Sequence, residues 1–468
     1  MEVNSEVKKG LLSIILVIFT TLVAGCSNSG NKILFTTISH IDMTVEGHIK
    51  QVHDYDSVYT ICYENENSTY SLYVFTSPVQ YKTQNGKYAI IDNTVVKSKK
   101  SGFAFENKAN NVKTYFPTTF LDAFRIEKGT GFLEFNIAIE TAGFSDAKQI
   151  VFTNMYGIEV SAVVYERNDI DLFFYPTKAG IKTEIVLKDK PENNEFSFIV
   201  KSSAINYGNK NKGYILFEND VGNECVIYQP LIQYIDNNKQ QLDVTTQMKI
   251  SKKGDDYKLE MIIDDNIIEN AEYPIKFDPS FEMYFDKMAD STVYSEHDTN
   301  NYLANYAVIG EHEVFGEGWH YVRSRFRYYS RMLKPSQIIS SFYYTHVLSN
   351  INENGGILSI YGLDTQWSST NMKWLDKVEP KNNISVSEHN GRMIKFDITD
   401  FTKECLKDPD LGMESRGFVM LSDEMKIIAT SDNSAIVPFY RIDMKELPGG
   451  FIENEYINPP IGNSGNIF

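Results

Sequence analysis

Apolar and polar residues alternate with period two along most of this chain. In Phe132–Glu140, Leu133, Phe135, Ile137 and Ile139 alternate with residues suited to solvent, the pattern of a half-buried antiparallel strand. The same alternation predicts strands at Tyr70–Thr76, Val160–Tyr165, Thr183–Leu187, Glu195–Lys201, Tyr214–Glu218, Tyr257–Ile263 and Ile357–Tyr361. Turn-prone clusters separate them: Gln84-Asn85-Gly86, 190–194, 209–213, 254–256 and 352–356. Strands spaced in this way predict β-sandwiches rather than βαβ units. Only Asp400–Leu406 reads as a short helix. The expected fold is all-β, two antiparallel β-sandwich domains, the second jelly-roll-like.

Prolines at Pro274 and Pro279 around one short strand suggest a sheet boundary. The expected units are 43–278 and 279–446, followed by a Pro/Gly-rich coil tail, 447–468.

The first residues follow another pattern. Lys8 and Lys9 precede an uncharged, mostly apolar run of about 14 residues, Leu11 to Ala24, and then Gly25-Cys26. Roughly 18 or more apolar residues are needed for a membrane-spanning helix, so 1–25 reads as an export signal. Leu22-Val23-Ala24-Gly25-Cys26 resembles the lipobox of bacterial lipoproteins. That resemblance implies lipid on the Cys26 thiol, palmitate-type acylation, and a mature chain on the extracytoplasmic face of the cell membrane. Each buried methylene contributes about 0.8 kcal/mol, so two or three acyl chains anchor firmly. Residues 26–42 form a polar tether.

Composition narrows the partners. With 62 acidic against 45 basic residues, net charge is −17. No basic stripe exists to neutralise phosphates, so no nucleic-acid partner is expected, and anionic lipid would not hold the chain electrostatically. Cys62, Cys225 and Cys405 are far apart and odd in number. Three buried thiols are expected, although one bridge is open.

The second region resembles the DNRLRE-type β-sandwich module, which is also grouped as a carbohydrate-binding module. The matching residues run in order: Asp290–Tyr294, Asn300–Leu303, Val308–Gly310, Arg323-Ser-Arg325-Phe-Arg327, and Ile357–Leu363 leading to Trp367 and Trp374. Phe396–Asp400, Gly417–Met420 and Pro438–Ile442 follow. The literal hexapeptide is absent, and Cys405 stands near the place of a usual tryptophan. The first region resembles the segment preceding this module in wall-associated and YD-repeat (Rhs-like) surface proteins, through 77–94, 105–117 and the exit Glu272–Ser280. No YD repeats and no toxin domain follow.

Two functional readings remain. In one, a lipid-anchored surface protein binds a polysaccharide or cell-wall polymer through its second sandwich. Trp319, Tyr321, Tyr328, Tyr329, Tyr343 and Tyr344 crowd a short interval, and exposed rings stack on sugar faces. Arg323, Arg325 and Arg327 alternate onto one strand face, to pair with carboxylates or to hold an anionic glycan. The candidate ligand residues are therefore Trp319, Tyr321, Arg323, Arg325, Arg327 and Tyr329; Trp367 and Trp374 read as packing residues. In the other reading the sandwiches are a non-catalytic spacer or scaffold, with buried tryptophans. No enzyme is expected, since there is no Gly-x-Ser-x-Gly elbow and spacing alone establishes no carboxylate pair. Glu311, His312, Glu313 and His320 are the nearest approach to a zinc set. Calcium would draw on Asp397 and Asp400 with Asp408 and Asp410, or on Asp290 with Asp298; otherwise no cofactor is expected.

Overall fold

The computed structural model describes residues 47–139, 143–154, 159–204, 206–209, 214–219, 222–228, 230–235, 241–283, 290–296, 306–312, 316–323, 333–348, 357–363, 365, 367, 372–390, 392–407, 417–431, 433 and 436–447. The expected export signal, Cys26, the tether and the coil tail beyond 447 lie outside them, as do Arg325, Arg327 and Tyr329. Among the described residues no helix is long and apolar enough to cross a membrane.

Alternation becomes strand as expected. Gly131–Ile137 buries Gly131, Leu133, Phe135 and Ile137 and leaves the residues between them half-buried. Asp256–Ile262 repeats the pattern. Gly254, at φ 65°, turns the chain between Gln247–Lys253 and Asp256–Ile262, a conformation that favours glycine. The helix near 400 spans Thr399–Lys407. A second one, Asp265–Asn270, is capped by the Asp264 carboxylate, which accepts from the Asn266 N–H.

The molecule is all-β, built from antiparallel sheets packed face to face. An eight-stranded and an eleven-stranded sheet form the first sandwich. Its core stacks Phe124 on Phe174 at 4.0 Å and Phe135 on Phe281 at 3.9 Å, joining one sheet to the other. Two seven-stranded sheets form the second. One of them, the tryptophan sheet, contains Asp290–Tyr294, Tyr306–His312, Gly316–Val322, Leu358–Gly362, Asn383–Val386, Phe418–Ser422 and Lys426–Ala429. The chain crosses repeatedly between the two sheets, in the manner of a jelly roll.

The other sheet joins the two ends of the described chain. Its order runs His48–Gln51, Thr60–Asn65, Tyr70–Phe75, Phe439–Met444, Ile338–His346, Met393–Asp397, Glu388–Asn390. Tyr70 faces Met444, and Phe75 faces Phe439. Cys62, Leu72 and Val74 share one core with Ile309, Ile360, Phe418, Tyr440 and Ile442. We call this the closing sheet. Sheet membership therefore divides the chain otherwise than at 43–278 and 279–446. The strands up to Phe75 belong to the second sandwich, those from Asp92 to Met283 belong to the first, and the latter is an insertion. The alternation in Tyr70–Phe75 reveals a strand but carries nothing about a partner more than 360 residues away.

Candidate functional site

The tryptophan sheet has an inner and an outer face. Along Gly316–Val322, His320 and Val322 point into the sandwich, so Trp319 and Tyr321 point outward, as ring stacking on a polymer would require. Both are nevertheless buried, Trp319 at 8 % exposure and Tyr321 at 0 %. The chain stretch carrying Trp367, Met372, Trp374 and Val378 lies over them. The Tyr321 hydroxyl donates to the Val378 carbonyl at 2.8 Å, and its ring packs 5.5 Å from Trp367. Trp319 donates through Nε1 to Glu317 and meets Trp374 edge-on at 5.3 Å. Lys377 Nζ sits 4.6 Å from both indole centroids and 2.7 Å from Glu379 Oε1. A cation between two desolvated rings is attracted to both.

Arg323 follows the last residue of that strand. Its guanidinium donates through Nη2 to the Trp367 carbonyl and lies 4.8 Å from the indole centroid. The expected aromatic strip of Trp319 and Tyr321 is thus a packed layer rather than a free platform. Sequence alternation separates the two faces of a strand, but it is blind to a loop that later covers one of them. Trp367 is buried and Trp374 half-buried, as packing residues should be.

A second aromatic cluster, with charged groups beside it, lies on the outer face of the closing sheet, and all of its rings but Phe342 are buried. Tyr63, Tyr73, Phe75, Phe439, Tyr344 and Phe342 form a band across its strands, with Tyr344 stacked on Phe439 at 4.5 Å. Phe342 is half-buried, and Lys395 Nζ stands 4.4 Å from its ring centroid. Beside the band runs a polar row centred on Asp443. Its Oδ1 accepts from Ser71 Oγ at 2.7 Å and from Arg441 Nε at 2.8 Å, and its Oδ2 accepts from Ser340 Oγ at 2.8 Å. Asn65 donates to Ser71, and His48 bonds Asn65 and the Tyr73 hydroxyl. Desolvation lowers the His48 pKa. Apart from Tyr344, which belongs to the aromatic crowd around 319–344, none of these residues stands out in the sequence as a functional candidate. The available signal was Arg441-Ile-Asp443, two opposite charges on one face of a strand that is otherwise apolar or aromatic.

The other candidates disperse. His312 and His320 share a face, since His312 is opposite Gly316, but four strand residues, roughly 13 Å, separate His320 from Gly316. His320 lies inside the sandwich, Nδ1 3.0 Å from Thr292 Oγ1 and Nε2 3.6 Å from Asp290 Oδ2. Burial lowers its pKa to about 3, so it is neutral at physiological pH. Among the described residues no three metal-ligating side chains converge; Asp298, Glu313, Asp408 and Asp410 lie outside them. Asp397 caps the Thr399 helix by accepting from its N–H at 2.9 Å, and Asp290 accepts from the Ser431 N–H at 2.7 Å. Cys62 and Cys225 are buried free thiols, their pKa pushed up to about 12 by desolvation. Cys405 is half-buried and in no disulfide.

No protein-family model matches the chain, and no curated protein matches it. Among solved structures it aligns with the N-terminal domain of the Streptococcus gordonii adhesin Sgo0707, at 8 % identity over 84 % of this chain and 89 % of that one, with a TM-score of 0.14. It also aligns with the N-terminal CBM22-1-CBM22-2 tandem domain of Paenibacillus barcinonensis Xyn10C, at 12 % identity over 66 % and 94 %, with a TM-score of 0.11. At such TM-scores neither likeness carries an argument.

Proposed function

We propose that this protein is a non-catalytic scaffold of the extracytoplasmic surface, anchored by lipid on Cys26, whose second sandwich is the base and whose first sandwich is displayed from it. The observation that carries this reading is the pairing of Tyr70–Phe75 with Phe439–Met444. The strands that begin and end the described chain lie in one sheet, Tyr70–Phe75 beside Phe439–Met444, and the first sandwich is inserted between Phe75 and Asp290. Burial of Trp319, Tyr321 and Trp367 supports it further, because that layer is spent on packing. Polymer binding by the second sandwich is the other reading. It keeps one specific support, the half-buried Phe342 beside Arg441 and Asp443, where a ring and a charged hydrogen-bonding pair lie together.

A glycan-array and wall-polymer pull-down with residues 47–447 separates them. The scaffold reading expects no saturable binding to any polymer. Saturable binding lost in Phe342→Ala or Arg441→Ala, in protein that remains folded, would move the function to the closing sheet.

A further inference from the structure

The outer face of the eleven-stranded sheet carries charge where water does not reach. Three of its strands, Gly180–Leu187, Glu272–Phe277 and Ser280–Met283, keep one antiparallel register: Ile185 faces Phe277, Lys182 faces Ser280, and Gly180 faces Glu282. Ile181, Ile185, Phe277 and Phe281 fill the core, so Lys182, Glu184, Ser280 and Glu282 turn to the opposite face. Asp278 stands across from Glu184 in the same register. Tyr175 flanks Lys182 from the next strand. Gly180 permits the close approach, since a Cβ there would fall 2.1 Å from the Phe281 carbonyl oxygen.

All of these side chains are buried. Lys182 Nζ lies 2.7 Å from Asp278 Oδ2, with only 4 % and 1 % of the two side chains exposed. Nearby Lys178 reports how dry the region is: desolvation brings its pKa down to about 7. Ser280 Oγ, opposite Lys182, is buried with no hydrogen-bond partner among the described residues.

We propose that Lys182 and Asp278 condense into an intramolecular isopeptide bond that joins neighbouring strands of this sheet. The ammonium and the carboxylate supply every atom required. Nζ bonds to Cγ, one Asp278 oxygen leaves, and the two protons lost from nitrogen depart with it as water. Charge balances, because a cation and an anion become a neutral amide. Glu184 lies on the same buried face, across from Asp278 in the register and 3.7 Å from Lys276 Nζ, and within this proposal it is the carboxylate that carries a proton from the amine to the departing oxygen. Burial supplies the drive: an ion pair without water keeps the desolvation cost of both charges, whereas the amide has none and frees a water molecule. The new carbonyl also gives the Ser280 hydroxyl an acceptor. Lys182 and Asp278 are 96 residues apart (278 − 182), so the bond would tie the sheet across a long loop. The described cysteines make no disulfide to do so.

Tryptic mapping of the purified full-length protein tests this. The expected product is a branched peptide, 179–188 joined to 277–287, at the summed mass less one water, with Lys182 uncleaved. Lys182→Arg keeps the positive charge and should abolish it. Asp278→Asn should still give a joined peptide of the same mass, because ammonia then leaves in place of water. Recovery of only linear peptides from folded wild-type protein would overturn the proposal. So would a branched peptide that persists in Lys182→Arg. Neither outcome bears on the scaffold reading, which rests on the other sandwich.

Discussion

His320 stands between the sheets of the second sandwich with its Nδ1 on Thr292 and its Nε2 near Asp290, and its neutrality there has a consequence for stability. Its folded pKa of about 3 lies below the ordinary value of 6.5. Between those values the unfolded chain binds the extra proton, so stability rises with pH and is lost as pH falls from 6.5 toward 3. Integrated to pH 5, the loss from this one residue is about 2 kcal/mol. Urea titrations at pH 7 and pH 5 should show it, and His320→Gln should remove that increment whatever its effect at pH 7. An equal pH response in both proteins would place the proton elsewhere. Trp319 gives a second prediction at this scale. Its truncation to alanine should cost about 3–5 kcal/mol, as for a buried aromatic, read as a lower urea midpoint. The crowding of aromatic residues around 319–344 was legible in the sequence, but not that Trp319 and Tyr321 are covered, because the covering residues, Trp367 to Val378, lie more than 40 positions away.

Strands are where local pattern was sufficient. Gly131–Ile137, Glu195–Ser202, Asp256–Ile262 and Leu358–Gly362 all fall where alternation placed them, since period two is the geometry of the strand itself. The helix Asp265–Asn270 escaped notice because six residues give little periodicity, and only Asp264 as an N-cap announced it. Partner choice is set by the whole fold and was not legible. Tyr70–Phe75 and Phe439–Met444 look alike in pattern to many other strands, yet they pair only with each other and with one further strand apiece. Residues 279–447 alone would therefore leave one edge of Phe439–Met444 unpaired and strip Tyr440, Ile442 and Met444 of the core they share with Leu72 and Val74. Such a fragment should give no cooperative thermal transition, whereas 47–91 joined to 284–447 by a Gly/Ser linker should give one. A cooperative transition in the shorter fragment would contradict the pairing. Leu72→Ala, fully buried in the shared core, should lower stability by about 2–5 kcal/mol.

For the molecule as a whole, the fold brings both ends of the described chain to one sheet, and the net charge of −17 makes adhesion to an anionic surface unfavourable. On the proposed account attachment depends on acyl chains at Cys26, and the first described strand, His48–Gln51, belongs to the closing sheet of the base. The most direct measurement is fractionation of cells that make the wild-type chain and Cys26→Ser. The wild-type protein should sediment with membranes, resist high salt and enter solution only with detergent, while Cys26→Ser should not be retained on the membrane in its lipid-free form. Wild-type protein found free of the membrane, or released by salt alone, would contradict the anchored-scaffold account.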